Sequence, residues 1–507
     1  MERGWQQRMG WALALIAMAA WLLRVVPLTR GGAAFGYPID YDEGVYFSAS
    51  ALFFQGHWPY RDFVFVHPPG GVWLWGPAAL VGSWLGVDTG FTLARWLATL
   101  CGAVSVFLAG RLALRAWGPV AGLVAALVYA SYPEVVQVER GPFLEVWLNL
   151  ACLAAANVWL EPPREGRAQP RWLLAGALFG VAISVKVLGG IWLFAALLSR
   201  SPRPSWRAHV GLVLAAGATV ALLVGPFVLN APSEFFSQVF VFQSLRPGDG
   251  ELDRLARLRE ILHERRLVGV VLALLGLGVA GARMLRASRP SQPVERLLAV
   301  AFVLTVAAFL SSRSYWNQYN AYLAASEAVL AGLGAVTVHA WIVAHRPAVA
   351  RYAAVLLGVA VLVPTLRTLL HAFRMRTPEQ AALGRYIRQS VPPEAPLFAF
   401  EPSWGLAGGR LPSVVPGAPL VVDSYALMLQ GGMASGQRLA NATEAFQTPG
   451  SQQALRELLS RSRFVVLGWR GDWQLSEDTK QWFHSRFVRR FPPEGEGGID
   501  LWEQAPP

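Results

Sequence analysis

The chain has 507 residues, 54% of them hydrophobic and 15% charged, with a formal net charge of +12. So apolar a composition excludes an ordinary soluble domain of this length. The basic excess falls in short Arg clusters between apolar runs instead of along one face, which argues against nucleic-acid binding and for the cytoplasmic loops of a membrane protein. The two cysteines, Cys101 and Cys152, sit inside apolar runs and read as packing residues.

The first apolar run, about 10 to 28, follows the basic segment MERGWQQR. It is long and lacks a small-residue cleavage site before the polar loop, so an uncleaved helix with a cytoplasmic N-terminus is expected. Residues 29–71 then form a first outer loop. The run 90–110 must return inward to leave Arg111 and Arg115 in the cytoplasm, so 72–86 is expected to be interfacial or re-entrant. Runs at 117–132 and 145–160 form the next pair, and 172–199 reads as two short helices broken near Lys186 and Gly189-Gly190. Further runs lie at 209–229, 267–282, 297–312, 321–344 and 351–370. The total is about 11 spans of a hydrocarbon core roughly 30 Å thick. The other clusters, Arg164/Arg167/Arg171, Arg200/Arg203/Arg207, Arg283/Arg286/Arg289 and Arg346/Arg351, then all face the cytoplasm.

From about 373 the composition becomes mixed. Strand-like runs at 396–400, 419–423, 464–468 and 498–502 alternate with helical stretches such as SQQALRELLSRS, for which Ser451 is the expected N-cap. The fold class is therefore a polytopic α-helical membrane protein, residues 1–372, carrying a C-terminal extracytoplasmic α/β domain, residues 373–507.

On this path the ionisable chemistry collects on the outer face. The first loop, IDYDEGVYFSASALFFQGHWPYRDFVFVHPPGG, contributes Asp42, Glu43, Arg61, Asp62, His57 and His67; later outer segments contribute Glu139, Arg140 and Lys186. Taken singly, Asp62 and Glu139 read as solvated loop charges, and Arg61 can simply pair with Asp62. The adjacent carboxylates of YDEGVY, flanked by Tyr41 and Tyr46, are harder to explain as helix-dipole stabilisation alone. The prolines of HPPGG impose extended geometry that aims His67 in a fixed direction.

These residues resemble the first outer loop of the GT-C membrane glycosyltransferases, in particular the protein mannosyltransferase and aminoarabinose transferase-like families. ERGPFLEVWLNLACLAA, GALFGVAISVKVLGGIWL and RSYWNQYNAYLAASEAVLAG follow in the order of further family elements. The resemblance implies transfer of a sugar from a polyprenyl-phosphate donor to a glycolipid, polysaccharide or protein acceptor. By correspondence Asp42 is the catalytic carboxylate and Glu43 its neighbour. The acid of the family's acid-Lys-Pro element is missing at Val66-His67-Pro68, and Asp62 is a candidate substitute. His67, Arg140, Lys186 and Arg61 are candidates for the donor phosphate; Tyr41, Tyr46, Glu139, Tyr315, Asn317, Gln318 and Tyr319 are expected to line the substrate site. A divalent cation, Mg or Mn, on Asp42 and Glu43 is an alternative to a purely cationic clamp. The expected location is the plasma membrane of a prokaryote. A secondary transporter or lipid flippase is the competing reading, but such proteins gather their charges at the midplane between repeats, and no internal repeat is seen here.

Overall fold

The structure is a computed structural model that describes residues 2–29, 39–161, 171–199, 206–248, 253–262, 266–286, 291–374, 378–431, 441–492 and 498–506. Residues 30–38 of the expected first loop, and Arg164, Arg167, Arg200, Arg203 and Arg289 of the basic clusters, lie outside the described residues.

The membrane part begins with α1 (Glu2–Thr29), α2 (Tyr41–Phe54), α3 (Gly70–Leu74), α4 (Gly76–Leu85) and α5 (Val87–Trp117). There follow α6 (Pro119–Ser131), α7 (Pro133–Val138), α8 (Leu144–Trp159), α9 (Arg171–Val185), α10 (Gly189–Leu198) and α11 (Trp206–Asn230). After α11 come α12 (Pro232–Phe236), a π-helical turn at Ser237–Val241, α13 (Phe242–Leu245) and α14 (Arg254–Ile261). Then come α15 (Leu267–Leu285), α16 (Pro293–Ser311), α17 (Asn320–His345) and α18 (Pro347–Arg374).

Among the described residues six helical stretches are long and apolar enough to cross a membrane, in α1, α5, α11, α15, α16 and at Asn317–His345. The shorter apolar helices α6, α8, α9 and α10 pack among them. The run 72–86 makes only the short helices α3 and α4. The chain breaks at Lys186, as its polar residues predict, and α10 folds back on α9: at Gly189 a Cβ would stand 2.6 Å from the carbonyl carbon of Ala182, so only glycine fits.

The C-terminal part comprises α19 (Pro378–Ser390), α20 (Pro402–Ala407), α21 (Tyr425–Gly431), α22 (Ala442–Phe446), α23 (Pro449–Ser460), α24 (Gly468–Gln474) and α25 (Glu477–His484). These surround a four-stranded sheet of β1 (Leu397–Ala399), β2 (Phe464–Val466), β3 (Phe487–Phe491) and β4 (Leu501–Gln504). Its order is β1-β2-β4-β3, with β1 parallel to β2 and the other pairs antiparallel.

Two expectations are corrected here, and one strand is added. The run 419–423 is not a strand: Leu420, Val421 and Val422 are buried, but Asp423 Oδ1 accepts the amide N–H of Tyr425 at 2.8 Å and turns the chain into α21. Strand β3 was not anticipated, because its middle residues are exposed and two are arginines, the composition of a protected sheet edge. The N-cap of α23 is Thr448, whose hydroxyl accepts from Ser451 N, with Pro449 at the first helical position.

Helix α2 packs against α20 of the C-terminal part as well as against α4. Gly44 permits this approach, since a Cβ there would lie 2.3 Å from the backbone nitrogen of Ser403. The first loop and the C-terminal part therefore share one interface.

Candidate functional site at the junction

A cavity of about 660 Å³ opens where these parts meet, within the usual range for small-molecule sites. Asp40, Asp42, Tyr46, His67, Gln318 and Tyr319 line it from the membrane part, and Glu401, Asp423, Trp469 and Arg470 from the C-terminal part. A second compartment of about 230 Å³ adjoins it and shares Val66, His67, Arg246 and Tyr319 with it. Leu188, Val239 and Phe309 give this smaller space a mainly apolar wall, to which Lys186 and Arg246 add cations.

Asp42 occupies the first turn of α2. Asp40 caps that helix through Asp42 N at 3.1 Å, and Glu43 closes a capping box on Asp40 N, also at 3.1 Å. Gln318 Nε2 donates to Asp42 Oδ2 at 3.1 Å. Burial and then the nearby carboxylates of Asp40 and Glu145 push Asp42 up to about 7, against the opposing influence of Gln318 and Lys186. Asp40 is pushed up to about 6, first by burial and then by Glu43.

Lys186 donates to Glu145 Oε1 at 2.6 Å and stands 4.5 Å above the Tyr319 ring. His67 contacts Tyr46 Oη through Nε2 at 3.2 Å. Burial, then the charges of Lys186 and Arg246, hold its pKa well below the usual histidine range, so His67 faces the site neutral. It can act there as a hydrogen-bonding group, in place of the cation expected from sequence.

Of the other expected site residues, Tyr41, Tyr46, Gln318 and Tyr319 line the cavity. Glu43 does not: Arg95 of α5 binds both its oxygens, Nε to Oε2 at 2.9 Å and Nη2 to Oε1 at 3.0 Å, with both side chains buried. A divalent cation shared by Asp42 and Glu43 does not fit this arrangement, because the guanidinium occupies the Glu43 carboxylate.

Asp62 pairs with Arg61 at 2.8 Å and caps Trp58 N, outside both compartments. Glu139 is bound by Arg24 at 2.7 Å and by the Tyr129 hydroxyl at 3.0 Å, within the helix bundle. Arg140 donates to Leu23 O at 3.1 Å, and Tyr315 to Asn320 Oδ1 at 2.7 Å; neither lines a compartment, nor does Asn317. Both cysteines are buried and free.

Sequence reasoning missed Asp40, Arg246, Glu401, Asp423 and Arg470. Asp40 was legible as the N-cap of a helix with Glu at N3. The C-terminal residues lie hundreds of positions from Asp42, and only the docking of α20 on α2 brings them near.

Residues 65–312 match glycosyltransferase family 87. Among solved structures, ArnT from Cupriavidus metallidurans bound to undecaprenyl phosphate is similar with a TM-score of 0.64 at 16% identity, covering 97% of this chain and 98% of that one. The archaeal oligosaccharyltransferase AglB from Archaeoglobus fulgidus, in complex with an inhibitory peptide and a dolichol-phosphate, is similar with a TM-score of 0.60 at 13% identity, over 99% of this chain and 74% of that one. No curated protein matches the sequence significantly. The chain thus shares the fold of ArnT and AglB over nearly its whole length, and just under half of it resembles glycosyltransferase family 87.

Proposed function

We propose that the protein transfers a sugar from a polyprenyl-phosphate donor to an acceptor hydroxyl on the extracytoplasmic face of a prokaryotic cell membrane, with Asp42 as the base. On this reading about eleven helices cross the bilayer and the C-terminal part, from about residue 373, lies outside it. The observation that carries the proposal is the pairing of two compartments. The Asp42 carboxylate faces the larger, more polar one; Lys186 lines the smaller, more apolar one and Arg246 lines both. An isoprenoid suits the apolar wall, and its phosphate then meets the two cations. ArnT and AglB, whose folds this chain shares, have been captured with undecaprenyl phosphate and dolichol-phosphate respectively, which supports the same donor class.

In the transfer the acceptor oxygen bonds to the anomeric carbon while the bond from that carbon to the phosphate oxygen breaks. Asp42 takes the acceptor proton, and the phosphate leaves with the bonding electron pair. Its growing charge is met by Lys186 and Arg246, cations already in place where that charge develops. A carboxylate held near 7 is well matched to accepting a proton at neutral pH. His67, neutral, can donate or accept a hydrogen bond at the boundary between the two compartments.

The test is transfer of radiolabelled sugar from extracted polyprenyl-phosphate sugars to endogenous acceptors, comparing wild type with Asp42→Asn at equal folded yield. Loss of transfer with donor binding retained is expected. Unchanged transfer by Asp42→Asn removes Asp42 from the chemistry.

A further inference from the structure

Asp42 lies in the first turn of α2, the part of a helix whose backbone donors have no intrahelical partner and which frays most readily. Around it the C-terminal part grips the chain at three points. Three residues before, the amide of Ile39 donates to Gln380 Oε1 and its carbonyl accepts from Gln380 Nε2, both at 3.0 Å. Two residues after, Gly44 lies against the backbone of Ser403.

Immediately before Asp42, the Tyr41 hydroxyl donates to Asp423 Oδ1 at 2.5 Å and accepts from Ser424 N at 3.0 Å. The Arg470 guanidinium lies 3.9 Å from the Tyr41 ring centroid, and Glu401 Oε1 fixes that guanidinium at 2.6 Å. So dense a set of bonds on one side chain from a region more than 380 residues away exceeds what simple docking of two surfaces requires.

We infer that Tyr41 is a positioning residue for Asp42, latched by Asp423, Ser424 and Arg470, so that the C-terminal part completes the active site. The inference rests on Asp42 acting as the base. Fixing Tyr41 sets the rotation of the first turn of α2 and therefore the direction of the next carboxylate. A misplacement of about 1 Å at a reacting group can cost on the order of 100-fold in rate.

The latch also holds Asp42 among the groups that raise its pKa. The groups that face this carboxylate are Asp40 from its own entry turn, Glu145 of α8, Lys186 at the α9–α10 break and Gln318 ahead of α17, with Glu43 next along the helix and Tyr46 a turn beyond. Loosening the turn hydrates Asp42 and brings its pKa back toward the ordinary carboxylate range.

Tyr41→Phe keeps the ring under Arg470 and removes only the hydroxyl. The full-length protein, assayed for radiolabelled sugar transfer, is expected to lose about tenfold or more in kcat while donor KM changes little. The acid limb of its pH profile is expected to move to lower pH. Asp423→Asn, which keeps an oxygen able to accept from Tyr41, should retain more activity than Asp423→Ala. Tyr41→Phe combined with Asp423→Ala should lose less than the two single losses multiplied together, since the bond between these side chains is cut by both.

Wild-type kcat and an unmoved pH profile in Tyr41→Phe overturn the inference, as do additive losses in the double variant. Should Tyr41→Phe fail to fold, the order of Asp423→Asn and Asp423→Ala decides: equal loss in both overturns it. These failures are distinct from failure of the catalytic reading, which shows as transfer retained in Asp42→Asn.

Discussion

Replacing Arg95 with Met removes the partner of Glu43 and leaves a carboxylate stranded in the protein interior. The guanidinium makes two bonds to Glu43, at 2.9 and 3.0 Å, and the side chains are 0% and 4% exposed. Breaking so buried a pair from one side costs about 3–5 kcal/mol, most of it the penalty of an uncompensated charge. Adding Glu43→Gln removes that charge, and the amide oxygen of Gln can still accept from Asp40 N; a helix cap of this kind contributes about 0.5–2 kcal/mol. The double variant should therefore recover most of the stability lost by Arg95→Met. Heating the detergent-solubilised proteins and following the surviving monodisperse fraction by size exclusion gives the comparison. Radiolabelled sugar transfer by the double variant within about tenfold of wild type, or about 1.4 kcal/mol in the barrier, is expected if Glu43 serves only to hold α2 on α5. A double variant that is stable yet has lost transfer altogether refutes this reasoning and returns Glu43 to the chemistry.

Transfer should rise about tenfold per pH unit below about 7 and level off above it, because the base must be ionised and Asp42 is raised to about 7; a rate flat from pH 5 to 8 contradicts this. Stability should run the other way. The folded state holds the Asp42 proton more tightly than the unfolded chain does, so this contribution is complete below the ordinary carboxylate value of 3.8 and is lost as pH rises through about 7. Thermal midpoints of wild type and Asp42→Asn compared across that window check the sign. Arg61→Met and Asp62→Asn should each change stability by no more than about 1 kcal/mol, as expected of a partly exposed ion pair, and leave transfer near wild type. Loss of transfer in Asp62→Asn alone would restore it as a second catalytic carboxylate.

Much of the helical framework was legible because apolar runs and Gly or Pro punctuation are local signals. The break at Lys186 is one case, since a cation and two glycines interrupt an otherwise apolar run. The charge pairing was not legible. Glu43 and Asp42 are neighbours in sequence, yet one turns to Arg95 and the other to the cavity, a separation set by the rotation of α2 against α5. Glu139 read as a solvated loop charge and Arg140 as a candidate for the donor phosphate; the structure buries both among the helices, with Glu139 bound by Arg24 of α1. The C-terminal contribution to the site, Arg470 and Asp423 above all, depends on the fit of α20 to Gly44, which no periodicity encodes.

The sheet order carries a consequence for how the protein matures. Strand β4 lies between β2 and β3, and Gly498 and Ile499, just before it, form part of the cavity wall. During synthesis the residues around Asp42 leave the ribosome more than 450 positions ahead of those that close the site. Residues 501–504 are also the ones that pair with both β2 and β3, so the stretch that adds the last part of the cavity wall joins two strands made before it. A chain cut short before Gly498 would therefore keep the membrane helices and lack part of the cavity wall.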